Sequence, residues 1–180
     1  SPAWRVIAAD FVTLTSGTQF QNTSTYGDVT FSDDINSTAA AGDNNTDLGI
    51  TATNGTVSLK NIGTGADDAV DSGDDRPVND LTVSGRTVLL AGNIQTEDNA
   101  AGDPGTIGIT ATDETVIMAN ITIDSEEATA AGTAGDVTFN GQVNSDSDTA
   151  RTLRIVTDAG TDAGITFNDA VGRRSPLGTL

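Results

Sequence analysis

The pentapeptide Gly-Asp-Val-Thr-Phe occurs twice, at residues 27–31 and 135–139, and a looser form, Ala-Gly-Ile-Thr-Phe, stands at 163–167. Related phrases begin at Gly55, Arg86 and Glu114. The six starts are separated by 28, 31, 28, 21 and 28 residues, and the apolar positions stay nearly in phase. A period of this length is the signature of stacked structural repeats. Each phrase alternates, sending Val29 and Phe31 to one face and Asp28 and Thr30 to the other, as a short strand does.

A second apolar residue comes soon after each phrase: Ile35, Ile62, Ile94, Ile121, Val143 and Val171. A third alternating element precedes most copies, at 48–53, 81–84, 107–112 and 153–157. Each repeat therefore holds about three short strands, except the interval from Glu114 to Gly135, which lacks a clear third one. No stretch shows helical apolar spacing across three turns. Thr, Val and Ile favour strands, and Gly, Asn and Asp punctuate them. The segments 37–47, 64–80, 96–106 and 124–134 read as polar loops.

One three-strand coil cannot bury its own inward face, but stacked coils can. The expected fold is all-β, a parallel β-helix (β-solenoid) of about six to seven coils, roughly 30 Å long at the strand spacing. Variable acidic loops leave it at one corner, and residues 1–180 form one solenoid segment. The expected inward set is Val29, Phe31, Leu48, Ile50, Val57, Leu59, Leu81, Val83, Val88, Leu90, Ile107, Ile109, Val137, Phe139, Ile155, Ile165 and Phe167. The alternative is a β-sandwich adhesin module, which also uses short strands between turns. Its strands differ from one another and have no reason to recur in phase.

Composition narrows the function. Eight Lys+Arg face 26 Asp+Glu, for a net charge of −18, which disfavours nucleic acid as a partner. No apolar run is long enough for a membrane-spanning helix. The absence of cysteine and histidine removes disulfides, thiolate metal sites and serine–histidine triads. The start lacks the layout of a signal peptide, and the chain reads as a mature product or an excised fragment. Both ends are strand-like, so the ladder is expected to continue past them.

The phrases "GDVTFNGQV" and "AGITFNDAVGRRSPLGTL" resemble the repeat units of very large repetitive bacterial surface proteins, the filamentous-haemagglutinin-like and autotransporter-like adhesins. The resemblance covers Gly27 to Leu180. It implies a right-handed parallel β-helix exported to the cell surface, where it serves as a stalk, adhesin or matrix fibre. The expected partners are further copies or coils of itself end to end, by way of the strand-like ends, and surface glycans or host and matrix surfaces. The long acidic inserts at 64–80 and 96–106 depart from the family pattern.

Two chemistries are weighed against that structural role. Calcium takes six to eight oxygen ligands, which Asp, Asn and loop carbonyls supply. The stretch 71–80 concentrates Asp71, Asp74, Asp75 and Asp80 around a glycine and is the candidate site. It matches neither an EF-hand nor a calcium β-roll, and acid-rich loops also serve simply to solvate a rod. No cofactor is required. A secreted carbohydrate-active enzyme needs two carboxyl groups across a sugar cleft. Asp28 and Asp136 sit at equivalent strand positions several coils apart, and Arg151 and Arg154 are the candidate bases of a lyase. Five sequons, at Asn22, Asn36, Asn44, Asn54 and Asn120, allow N-glycosylation. The sequence reading is thus a non-catalytic segment of an extracellular, cell-surface protein or fibre.

Overall fold

The computed structural model describes residues 5–8, 11–38, 46–65, 76–97, 105–125, 134–146, 149–157 and 163–180. These form strands β1 (Arg5–Ala8), β2 (Val12–Leu14), β3 (Thr18–Asn22), β4 (Asp28–Phe31), β5 (Ile35–Ser37), β6 (Leu48–Leu59) and β7 (Leu81–Leu90). They continue with β8 (Ile94–Gln95), β9 (Ile107–Ile117), β10 (Ile121–Asp124), β11 (Val137–Ser145), β12 (Leu153–Val156) and β13 (Ile165–Phe167). No helix occurs among the described residues.

Every strand pairing is parallel, and the partners lie about one repeat apart in sequence. This is a β-solenoid; a sandwich would be built from antiparallel pairs. Three rows run along it. The first aligns Thr18, Leu48, Leu81, Ile107, Val137 and Ile165. The second aligns Val6, Val29, Val57, Val88, Thr115, Val143 and Val171. The third aligns Val12, Ile35, Ile62, Ile94, Ile123 and Ile155. In β6, β7, β9 and β11 the first two rows merge into one bent strand. These four long strands make about four turns, against the six to seven coils expected, and shorter strands continue the rows at either end.

The repeated phrase does not mark one row. The first Gly-Asp-Val-Thr-Phe lies in the second row, with Val29 beside Val57. The second copy lies in the first row, with Val137 beside Ile107. Both rows need apolar residues at alternate positions facing inward, so the same phrase suits either. The short interval from Glu114 to Gly135 is a step between rows. Its strand β10 lies in the third row and begins at Ile121, the apolar residue expected after the phrase.

The bend between the first two rows sets the inward or outward parity of the residues beyond it. β7 crosses it with the single residue Arg86, between Gly85 and Thr87. β9 crosses it with Thr112 and Asp113. The extra residue slips the alternation by one, so Thr115 turns inward opposite Val88, 1% exposed, and Val116 turns outward. Alignment on the phrase alone puts Val116 in Val88's place.

The core is a stack of matching layers. Phe31, Leu48, Ile50, Leu59, Leu81, Leu90, Ile107, Ile109 and Phe139 are all buried. Each such side chain contributes roughly 1.5–3 kcal/mol on burial. Aromatic rings occur towards the ends of the stack. Phe20 meets Phe31 edge-on, with ring centroids 5.0 Å apart, and Phe139 stacks on Phe167 at 5.1 Å. Of the expected inward set, Ile155 and Phe167 are only partly covered and Ile165 is 44% exposed. All three stand in the last rungs, with few atoms beyond them.

Candidate functional site

Backbone N–H groups at the start of each row need acceptors from the next coil or from a side chain. Aspartates standing just before a row supply them. Asp28 Oδ1 accepts the Thr56 N–H at 2.8 Å, and Asp136 Oδ1 accepts the Gly164 N–H at 2.6 Å. Asp80 Oδ1 accepts both the Thr106 N–H, at 2.8 Å, and the Thr106 hydroxyl, at 2.7 Å. These three acids therefore tie one coil to the next. Of the calcium candidates, Asp80 has this role, while Asp71, Asp74 and Asp75 lie outside the described residues. Among the described residues no three acids come together in a group suited to a metal ion.

An asparagine column does the same at the third row. Asn61 Oδ1 accepts the Asn93 N–H and Asn93 Oδ1 the Thr122 N–H, both at 2.8 Å, and Asn120 Oδ1 accepts the Thr152 N–H at 3.0 Å. Beyond the inward isoleucines the corner is polar yet buried. Asn36 exchanges two hydrogen bonds with the Gly65 backbone, Nδ2 donating at 3.2 Å and Oδ1 accepting at 3.3 Å. The Thr96 and Ser125 hydroxyls donate to Gly105 O and Gly135 O, each at 2.7 Å. The signal for this corner is a triplet: Ile35-Asn36-Ser37, Ile62-Gly63-Thr64, Ile94-Gln95-Thr96 and Ile123-Asp124-Ser125. The hydroxyl repeats as faithfully as the isoleucine, and an amide or acid stands between them in three of the four. Asn22 and Asn36 are buried, which withdraws two of the five sequons from any glycosylation of the folded chain; Asn44 lies outside the described residues.

One groove of about 350 Å³ opens on the outer side, lined by Glu114, Val116, Met118, Ser145, Asp146, Arg174 and Ser175. The parity slip in β9 turns Val116 outward, and with Met118 it forms the apolar part of the lining. Three coils contribute to its walls. Glu114 Oε1 accepts from Arg174 Nη1 at 2.6 Å, and its Oε2 accepts from Asn144 Nδ2 at 2.8 Å. Asn144 Oδ1 accepts the Arg174 N–H at 2.9 Å. Asp146 Oδ2 receives Arg151 Nε at 3.0 Å and Nη2 at 2.7 Å, and Oδ1 receives the Thr149 N–H at 3.0 Å. Hydrogen bonding by Arg151 holds the Asp146 carboxyl below its ordinary value of 3.8.

The residues named for chemistry from the sequence are thus dispersed. Asp28 and Asp136 serve different rows, Arg151 is bound to Asp146, and Arg154 points outward from β12. The groove instead gathers Glu114, which opens one copy of the phrase, with Asp146, a pair that the spacing of the repeats does not bring together. Each is held in an ion pair, so the groove is nearly neutral on an acidic rod. No family model, curated protein or solved structure matches this chain.

Proposed function

We propose that this chain is a structural and adhesive segment of an extracellular bacterial surface protein or fibre, and that it is not catalytic. One observation carries the reading. The Asp and Asn side chains that could form a reactive centre are spent instead on joining coils: Asp28, Asp80 and Asp136 to the next backbone, and Asn61, Asn93 and Asn120 likewise. Such a molecule is organised around its long axis and presents its outer face for contact. Surface glycans and matrix surfaces are the partners that a polar outer face suits. Immunogold labelling of intact source cells with antibodies to this chain is expected to decorate the outside. Label confined to the cell interior would overturn the reading.

The second reading, a secreted carbohydrate-active enzyme, is favoured by the groove, where Glu114 and Asp146 share one wall-and-floor surface. Incubation with neutral and acidic polysaccharides separates the two. The structural reading expects no new reducing ends. Release that disappears in Glu114→Gln would establish the enzyme. A calcium-dependent adhesin module is the third reading, carried by the acid density of 71–80. It requires the melting temperature to rise with millimolar Ca²⁺ and to fall on chelation.

A further inference from the structure

We propose that copies of this chain associate head to tail, strand β13 of one solenoid pairing in parallel with strand β3 of the next. The inference deepens the structural reading by naming a partner, a second copy, and rests on it only in taking the chain as a rod.

The backbone of the first row sets the geometry. At each rung the leading residue donates its N–H to the residue just before the next rung. Thr18 donates to Asp47 O, Leu48 to Asp80 O, Leu81 to Thr106 O, Ile107 to Asp136 O and Val137 to Gly164 O, all at 2.7–2.9 Å. Ile165 is the next leading residue in this series. In a parallel ladder alternate residues bond to opposite sides. Gly164 and Asn168 bond back to β11 through Val137 N→Gly164 O and Asn168 N→Phe139 O. Ile165 and Phe167 therefore turn N–H and C=O to the open side of β13. At the other end, Thr18 bonds towards β6, so Gln19 and Gln21 turn theirs to the far side of β3, where no described strand pairs with it. Continuing the series places Ile165 N–H on Gly17 O of the second copy and Phe167 beside its Phe20.

The side chains and charges agree. The partly covered apolar residues packed on the core are concentrated in the outer rungs, Val12 and Phe20 at one end and Ile155, Phe167, Val171 and Leu177 at the other. Neither open strand carries a charge or a proline, the usual devices that keep a sheet edge from pairing. Residues 1–38 hold four aspartates against Arg5, and residues 149–180 hold four arginines against three aspartates. The ends are thus oppositely biased, and the bulk of the net charge of −18 lies between them. A head-to-tail contact of this kind does not close and produces linear assemblies.

Sedimentation velocity of the full chain tests this. Mass is expected to rise with protein concentration as dimers and longer species appear. Ile165→Pro and Gln19→Pro each delete an outward N–H at one end without touching the internal ladder, and each variant alone is expected to sediment as a monomer. Mixed together they retain one good edge each, and the mixture is expected to give a dimer and nothing longer. Ile165→Glu, which keeps the backbone donor but sets a charge on the edge, is the second β13 variant and is also expected to be monomeric. Circular dichroism matching the parent chain confirms that the variants are folded. A parent chain that is monomeric at every concentration would overturn the proposal while leaving the structural reading of a single rod intact. Association undiminished in the folded edge variants would overturn it too.

Discussion

At the residue scale, one side chain at a time decides how well the stack is filled and joined. Phe139 is fully buried and stacked on Phe167. Phe139→Ala removes a ring from a layer that neighbouring coils hold at fixed spacing, so collapse into the cavity is limited. Unfolding in denaturant is expected to show a loss of about 3–5 kcal/mol. Asp146 provides a pH signature. Its folded carboxyl titrates below its ordinary value of 3.8, so its contribution is complete above that value and is lost as pH falls through the lowered one. Stability measured from pH 6 downward is therefore expected to fall less steeply in Arg151→Met than in the parent chain at the acid end. Equal slopes would show that the pair adds nothing. Phe139 and its alternating neighbours are legible from the sequence as core; the Asp146–Arg151 pair is not, because it depends on how the chain turns between two strands.

At the scale of the element, the bends between the first and second rows carry the information that alternation lacks. Gly141 is the single bend residue of β11, with φ of 118°. A Cβ at this position would run into the Ala111 carbonyl of the coil before it. Gly141→Ala combines an unfavourable backbone angle with a backbone collision, and is expected to cost at least about 1–3 kcal/mol. Gly108, in the straight part of β9, is the control: an added Cβ has only Leu81 O near it, at 4.0 Å. Gly108→Ala is expected to leave the melting temperature nearly unchanged. A similar loss in both variants would mean that strand glycines matter through the unfolded chain, not through the bend. The bend lengths also bear on the groove, since the two-residue bend of β9 turns Val116 outward and leaves Thr115 in the core.

At the scale of the whole molecule, a net charge of −18 rests on a stack whose cohesion is apolar and hydrogen-bonded. Self-repulsion among like charges opposes the compact state, and salt screens it over about 10 Å at 0.1 M. The melting temperature is expected to rise between low salt and about 0.3 M NaCl, where screening is stronger still. A flat response would place the acids too far apart, or too well paired, to repel. The three salt bridges among the described residues involve Arg86, Arg151 and Arg174, two of them around the groove. A pair exposed on both sides, such as Arg86–Asp113, is worth about 0–1 kcal/mol. The three bridges do not offset the charge of the whole.

The sequence by itself determined the class of fold. A period near 28 residues, alternating Val, Ile, Leu and Phe, and polar breaks between them admit a stacked parallel solenoid, because only stacking buries a face that a single repeat leaves bare. It also determined the interior of the core, from Val29 and Leu48 to Phe139. The tertiary structure decided the row to which each phrase belongs. Alternation has a period of two, so it states which residues point inward but not the coil position they occupy. Only the hydrogen-bonded register separates Val29, in the second row, from Val137, in the first. The same register spends Asp28, Asp80 and Asp136 on the neighbouring coil, and brings Glu114, Asp146 and Arg174 to one groove from three separate turns. Their sequence separations are set by loops and bends, whose lengths the apolar pattern does not constrain.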